Sequence, residues 1–199
     1  LAGLEEGVIK PDTSIFCPGH FKLGRGLYRC WKKSGHGFMN LHDALVQSCD
    51  VYFYTIGHRL GIDTIAKYAK RSGLGRPTRL GLSREKKGLV PTTQWKLLNK
   101  NEPWQLGETI SASIGQGFNL VTPIQQIILM AAVANGGILL KPYLVKRIEG
   151  PEGQIQKEFF PEIVGQIGVD PDHLEQVRKA LRDVVNSARG TGKKSRLKN

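Results

Sequence analysis

Three cysteines, Cys17, Cys30 and Cys49, fall in the first quarter of the 199-residue chain, and His36 stands between the second and third. Three thiolates and one imidazole are a standard closed ligand set for tetrahedral zinc. The run reads C-x12-C-x5-H-x12-C. That spacing is looser than paired CxxC motifs, so two other readings stay open. The cysteines could be small buried free thiols, or two could form a disulfide with Cys49 left in the core. A disulfide would leave an odd thiol, unusual in an oxidising compartment. His20, three residues after Cys17, is the rival histidine. His36 is preferred because Gly35 and Gly37 flank it and let the backbone approach a metal closely. One structural zinc ion would tie residues 17, 30 and 36 to position 49. It would offset the ordering entropy of a segment with too few apolar residues to pack alone.

Cys49 also sits inside Ser48-Cys49-Asp50, followed by the aromatic run Tyr52-Phe53-Tyr54. A serine beside an aspartate raises the question of an acyl-transfer site. A weaker reading makes Cys49 the nucleophile of a cysteine hydrolase; alkylation only after chelation would point to a metal instead. Residues two apart do not share a helical face. Ser48 and Asp50 can therefore serve one cleft only if the backbone turns there, with Cys49 pointing the other way. Tyr52, Phe53 and Tyr54 read as core packing behind the site.

The elements that must position these residues follow from period and punctuation. Residues 1–8 read as the last turns of a helix. Residues 11–37, rich in glycine, read as one long irregular segment, a kind that is usually functional or cross-linked. Asn40 caps a helix whose face is Leu41, Ala44, Leu45 and Ser48. A second helix spans Val51–Leu60 and stops at Gly61; a third runs Ile62–Arg71. Glycines and prolines between 73 and 93 mark turns, and a short helix follows over Thr93–Lys100. Thr122-Pro123-Ile124-Gln125 is a capping box with proline at the first helical position. The helix after it, to about Asn135, is apolar nearly all round and should be buried. Ile138–Ile148 and Gln154–Phe160 read as strands around the turn Gly150-Pro151-Glu152-Gly153. Asp170-Pro171-Asp172 starts a last amphipathic helix. The pattern is α+β and helix-rich. On this reading residues 11–50 would form a zinc-stabilised loop with the Ser48-Cys49-Asp50 motif, and residues 51–199 a helical core with short strands.

Hydrophobic content of 40% and charge of 23% exclude a disordered chain. No run of about 18 apolar residues spans a membrane. The opening residues are neither a signal peptide nor an initiator context, so the chain reads as a piece of a longer one. The net charge of +12 suits phosphates or another anionic surface. The basic residues are spread along the chain, and no aromatic side chain is interleaved with the cluster Lys193, Lys194, Arg196 and Lys198. A basic, zinc-stabilised nucleic-acid-binding module is the alternative reading, and a salt-dependent gel shift would reveal it.

One ordered series of motifs is more specific. It begins with GHGFMNLHDALVQSCDVYFYTIGHRLGI (35–62) and continues through Tyr68–Gly75 and Glu85-Lys86-Lys87-Gly88-x-x-Pro91. It then takes in Ser111-Ala112-Ser113-Ile114-Gly115-Gln116-Gly117, Thr122–Gln125 and Ala134-Asn135-Gly136-Gly137. Over nearly its whole length the sequence resembles the transpeptidase domain of class B penicillin-binding proteins, especially the penicillin-binding protein 2 branch. The resemblance implies part of the penicillin-binding transpeptidase and serine β-lactamase-like fold. It also implies a peptidoglycan D,D-transpeptidase of cell-wall elongation and cell shape. Such enzymes acylate a serine with D-alanyl-D-alanine stem peptides or β-lactams. They sit in the bacterial inner membrane, with the catalytic domain on the periplasmic side. Glycosyltransferase and elongation-complex partners are implied, and nucleic acid is not.

The family uses three motifs: Ser-x-x-Lys, Ser-x-Asn/Asp and Lys-Ser/Thr-Gly. Ser48-Cys49-Asp50 corresponds to the second. The resemblance puts Ser48 in the proton relay and gives Asp50 the positioning of side chains and substrate. It places the other two motifs just before Leu1 and shortly after Asn199, outside the chain, so residues 1–199 alone should be inactive. Gly190-Thr191-Gly192 lacks the lysine and falls where the family has a loop. The resemblance further implies a metal beside the second motif, with Cys17 and Cys30 where relatives carry carboxylates, a change that favours tight structural zinc.

Overall fold

The computed structural model describes residues 1–197. They form two compact units. The first comprises residues 1–68, 91–119 and 169 onward; the second comprises 69–90 and 120–168.

The first unit opens with α1 (Ala2–Glu5) and continues into a segment that is not irregular throughout. Two short antiparallel ladders organise it: β1 (Ile15–Cys17) with β4 (Gly37–Met39), and β2 (His20–Leu23) with β3 (Gly26–Arg29). The expected long irregular stretch is corrected here. Its strands are three or four residues each, too short for alternation to register as a period. α2 (Leu41–Val46) begins at Asn40, whose side chain accepts the amide of Asp43, as the sequence predicts. α3 (Asp50–Arg71) is two helical runs broken at Gly61, where φ is +74°. α4 (Thr93–Lys100) and α5 (Leu106–Ala112) follow. α5 escaped the sequence reading, although Gln105 and Glu108 make a reciprocal capping box at its start. α7 (Pro171–Asn186) closes the unit and packs on α2.

One apolar cluster holds this unit together: Leu4, Ile9, Met39, Leu41, Ala44, Val51, Tyr52, Ile56 and Ile110, with all three cysteines among them. Tyr52 is fully buried, and burial pushes its phenol up to about 12. Its hydroxyl donates to the Thr13 carbonyl at 3.2 Å, while that of Tyr54 donates to Arg29 at the same distance. The aromatic run is core, and its polar tips fasten the loop in front of it.

In the second unit α6 (Pro123–Ala134) packs against β5 (Ile138–Lys141), which pairs with β8 (Glu162–Gln166). β6 (Arg147–Glu149) pairs with β7 (Ile155–Glu158) around the expected turn. The single strand predicted over 138–148 is therefore two, interrupted at Pro142. Buried Gln125 donates to the carbonyls of Arg76 and Lys87, which holds the 76–88 loop to the start of α6. The expectation that α6 is buried all round fails. Ile127 is 62% exposed and Met130 46%, because no element among the described residues of this unit covers that side.

Candidate metal centre and catalytic motif

The ladders of the first unit bring the ligand candidates to one point. The β1–β4 register sets Cys17 opposite Gly37, and the amide of His36 donates to the Cys17 carbonyl at 3.1 Å. The β2–β3 hairpin returns the chain so that the Cys30 amide reaches the Gly19 carbonyl at 2.9 Å. Cys49 arrives from the far side, between α2 and α3. All four ligand atoms lie within 4.8 Å of one another. His36 Nδ1 stands 3.6 Å from the Cys17 sulfur and 3.5 Å from that of Cys30. Tetrahedral zinc with Zn–S of about 2.3 Å would set sulfurs about 3.8 Å apart and nitrogen slightly closer. The donor set and its spacing fit that ion. His20 is exposed on β2 and does not join the group.

Glycine has two distinct roles in this loop. A Cβ on Gly35 would lie 2.3 Å from the Cys17 carbonyl oxygen, so close approach to the first ligand strand excludes any side chain there. At Gly37 space is open, and the positive φ of 76° is what selects glycine.

The protonation chemistry matches a buried thiol cluster. Burial pushes Cys49 up to about 12, with the neighbouring Cys17 and Cys30 thiols adding to it. Burial also raises Cys30 and lowers His36, the latter with help from Lys32. All three cysteines are free thiols. A bound dication reverses this preference, because thiolate charge is then compensated at contact distance. His36 Nε2 is buried with no hydrogen-bond partner among the described residues.

Ser48 lies in the turn between α2 and α3, with φ of +53°. This left-handed conformation costs an L-residue about 1–2 kcal/mol. The turn separates the motif as the sequence predicts: Ser48 is exposed, while Cys49 is completely buried in the cysteine–histidine cluster. Trp31, next to Cys30, clamps the turn. Its indole nitrogen donates to the carbonyls of Gln47 (3.1 Å) and Ser48 (2.9 Å), and its amide donates to Asp50 Oδ2 at 2.8 Å. Its ring meets His36 edge-on, 5.4 Å between centroids. Ser48 Oγ lies 2.8 Å from Thr191 Oγ1. Trp31 escaped the sequence reading, and Thr191 entered it only within Gly190-Thr191-Gly192, without a link to Ser48. Both contacts are long-range, and Thr191 is 143 residues away from Ser48.

Comparison with known proteins gives the family. The family described as the penicillin binding protein transpeptidase domain matches residues 1–198. The chain belongs to the penicillin-binding protein transpeptidase family. Among curated relatives, the peptidoglycan D,D-transpeptidase MrdA of Acinetobacter baumannii is 35% identical over 194 residues. That match covers 96% of this chain and 29% of the relative. The structure of Pseudomonas aeruginosa PBP2 in complex with WCK 5153 superposes with a TM-score of 0.83 at 36% identity. It covers 97% of this chain and 42% of that one. Helicobacter pylori PBP2, solved in a complex with MreC, has the same TM-score at 31% identity, covering 96% and 34%. The α+β transpeptidase fold is thereby established. The chain spans about 30% of the length of the curated relatives it matches.

Lys-Ser-Gly and Ser-x-x-Lys also occur in the chain as letter patterns, away from the places where the resemblance puts the family's motifs. Lys33-Ser34-Gly35 falls in the turn between Cys30 and His36, where Gly35 is committed to the close approach to Cys17. Ser83-Arg84-Glu85-Lys86 lies in a turn of the second unit, not on a helix, where residues three apart would face one another. The Gln116 amide closes the turn after α5 on the Ser111 carbonyl at 3.0 Å.

Proposed function

We propose that this chain is part of a peptidoglycan D,D-transpeptidase of cell-wall elongation, acting on D-alanyl-D-alanine stem peptides and acylated by β-lactams. Ser48 carries protons in the relay, and Asp50, fixed by the Trp31 amide, orients side chains and substrate. The observation that carries this reading is the turn at Ser48. It presents one hydroxyl to solvent on a strained backbone, at the motif where the family does its acid–base work. Zinc is held by Cys17, Cys30, His36 and Cys49 as a structural ion, and its chemistry there is to stabilise the thiolates that knit the loop. The whole protein works on the extracytoplasmic face of the inner membrane with elongation-complex partners, a glycosyltransferase among them. Support for partners comes from the MreC complex of the Helicobacter relative. No helix among the described residues is long and apolar enough to cross a membrane, so this reading assigns the anchor to another part of the protein.

Labelling with a fluorescent penicillin tests the enzymatic half. The full-length protein should label covalently, and residues 1–199 alone should not; stoichiometric labelling of the latter would overturn the claim that this part is inactive by itself. Metal analysis of purified residues 1–199 should find one equivalent of zinc, and less than half an equivalent would count against the ion.

A further inference from the structure

The motif serine is held by a hydroxyl that none of the three family motifs contains. α7 and the turn that follows it are fastened to α2 at several points. The Thr191 amide donates to the Val46 carbonyl at 3.2 Å. Arg189 Nη2 donates to Asp43 Oδ1, and His42 Nε2 meets Asp183 Oδ2, both at 2.9 Å. Within the turn the amides of Gly190 and Gly192 close on the carbonyls of Ser187 (3.0 Å) and Val184 (2.9 Å). A Cβ at Gly190 would sit 2.2 Å from the Val184 carbonyl oxygen, so this closure requires glycine. The backbone of residue 191 is thus placed without any use of its side-chain oxygen. That oxygen meets Ser48 Oγ.

We infer that Thr191 is a positioning residue for the Ser48 hydroxyl in the proton relay. This rests on the transpeptidase reading of Ser48. An exposed serine samples three staggered rotamers, and proton transfer requires its oxygen within about 2.6–3.2 Å of each partner. Thr191 selects the rotamer in which Ser48 Oγ lies 2.8 Å from Thr191 Oγ1. A hydroxyl partner also suits a relay in a way a carboxylate does not. It donates or accepts, so it stays bonded to Ser48 whichever way the Ser48 hydrogen points, with no change in net charge. Valine at 191 preserves the branched shape and the amide bond to Val46 but removes this partner.

Second-order acylation of the full-length protein by a fluorescent penicillin tests the inference, using Thr191→Val, Thr191→Ser, Ser48→Ala and the Ser48→Ala/Thr191→Val double variant. Thr191→Val should slow acylation about tenfold, the scale of one neutral hydrogen bond, and Thr191→Ser should recover most of that rate. On the Ser48→Ala background the valine change should cost less than twofold, because the partner is already gone. A rate for Thr191→Val within twofold of wild type, or an equal loss on both backgrounds, overturns the inference. Wild-type protein that fails to label overturns the transpeptidase reading itself, a separate outcome. If the valine variant unfolds, Thr191→Ala is judged by the same criteria.

Discussion

Ser48 gives a stability test that needs only residues 1–199. Ser48→Ala and Ser48→Gly both delete the hydroxyl and with it the bond to Thr191. They differ in the Cβ, which the backbone at φ +53° disfavours. The left-handed conformation costs alanine about 1–2 kcal/mol. Glycine escapes that cost but loses about 0.5–1 kcal/mol more conformational entropy on folding. Glycine should therefore be the more stable variant by about 0.5–1 kcal/mol, the reverse of the usual order of these residues. For a chain of this length that is about 1–4 °C in Tm. The native serine, which keeps a hydrogen bond of about 1 kcal/mol, should fall close to glycine. Tryptophan fluorescence is the suitable readout, since Trp31, Trp95 and Trp104 all belong to the first unit. Thermal or urea unfolding at matched metal content would settle the order. Alanine equal to or above glycine would refute the strain argument, and with it the view that the backbone at Ser48 is held against its preference.

Three other outcomes follow from features of the two units. Cys30→Ser should lower the zinc content, lose about 4 kcal/mol of stability at free zinc near a thousand times its Kd, and become indifferent to chelator. A variant as chelator-sensitive as wild type would remove Cys30 from the ligand set. Gly57→Ala should destabilise by about 1–3 kcal/mol despite better helix propensity, because the new Cβ would lie 2.2 Å from that of Ser113; a neutral or positive change in urea midpoint would contradict it. Glu85 accepts hydrogen bonds from the Thr78 hydroxyl and from the amides of Thr78 and Arg79, which hold its carboxyl below the usual range. Its folded pKa is lower than its unfolded one, so its contribution to stability is present above about pH 4.3 and is lost as pH falls through the folded value. Its carboxyl carbon resonance should titrate with a midpoint below 4.3, and a midpoint at or above it would show that the cap is absent.

The chemistry was more legible in the sequence than its scaffolding. Ligand types and count suggested the cluster at Cys17, Cys30, His36 and Cys49, and the spacing rule for Ser48 and Asp50 required the turn that the structure contains. The helix starts at Asn40, Thr122 and Asp170 were readable because each cap satisfies backbone amides within three residues of itself. The short strands of the metal loop were not, since their partners are chosen by the fold and not by local period. β8 was missed for the same reason: it pairs with a strand more than twenty residues earlier, across an inserted hairpin. The exposed side of α6 shows the limit of composition, which gives an apolar surface without saying what lies against it.

The bond between Ser48 and Thr191 also sets an order of events during synthesis. Translation delivers residues from the N-terminus at roughly 5–20 per second. The ladders, the ligand cluster and the Trp31 clamp draw their own partners from residues 15–50, so all of those partners are synthesised early. The tether at Thr191 comes 143 residues later, a delay of about 7–29 s at that rate. A nascent chain therefore holds every partner of its motif turn well before the residue that meets its serine, and the site reaches its final geometry only when α7 docks on α2.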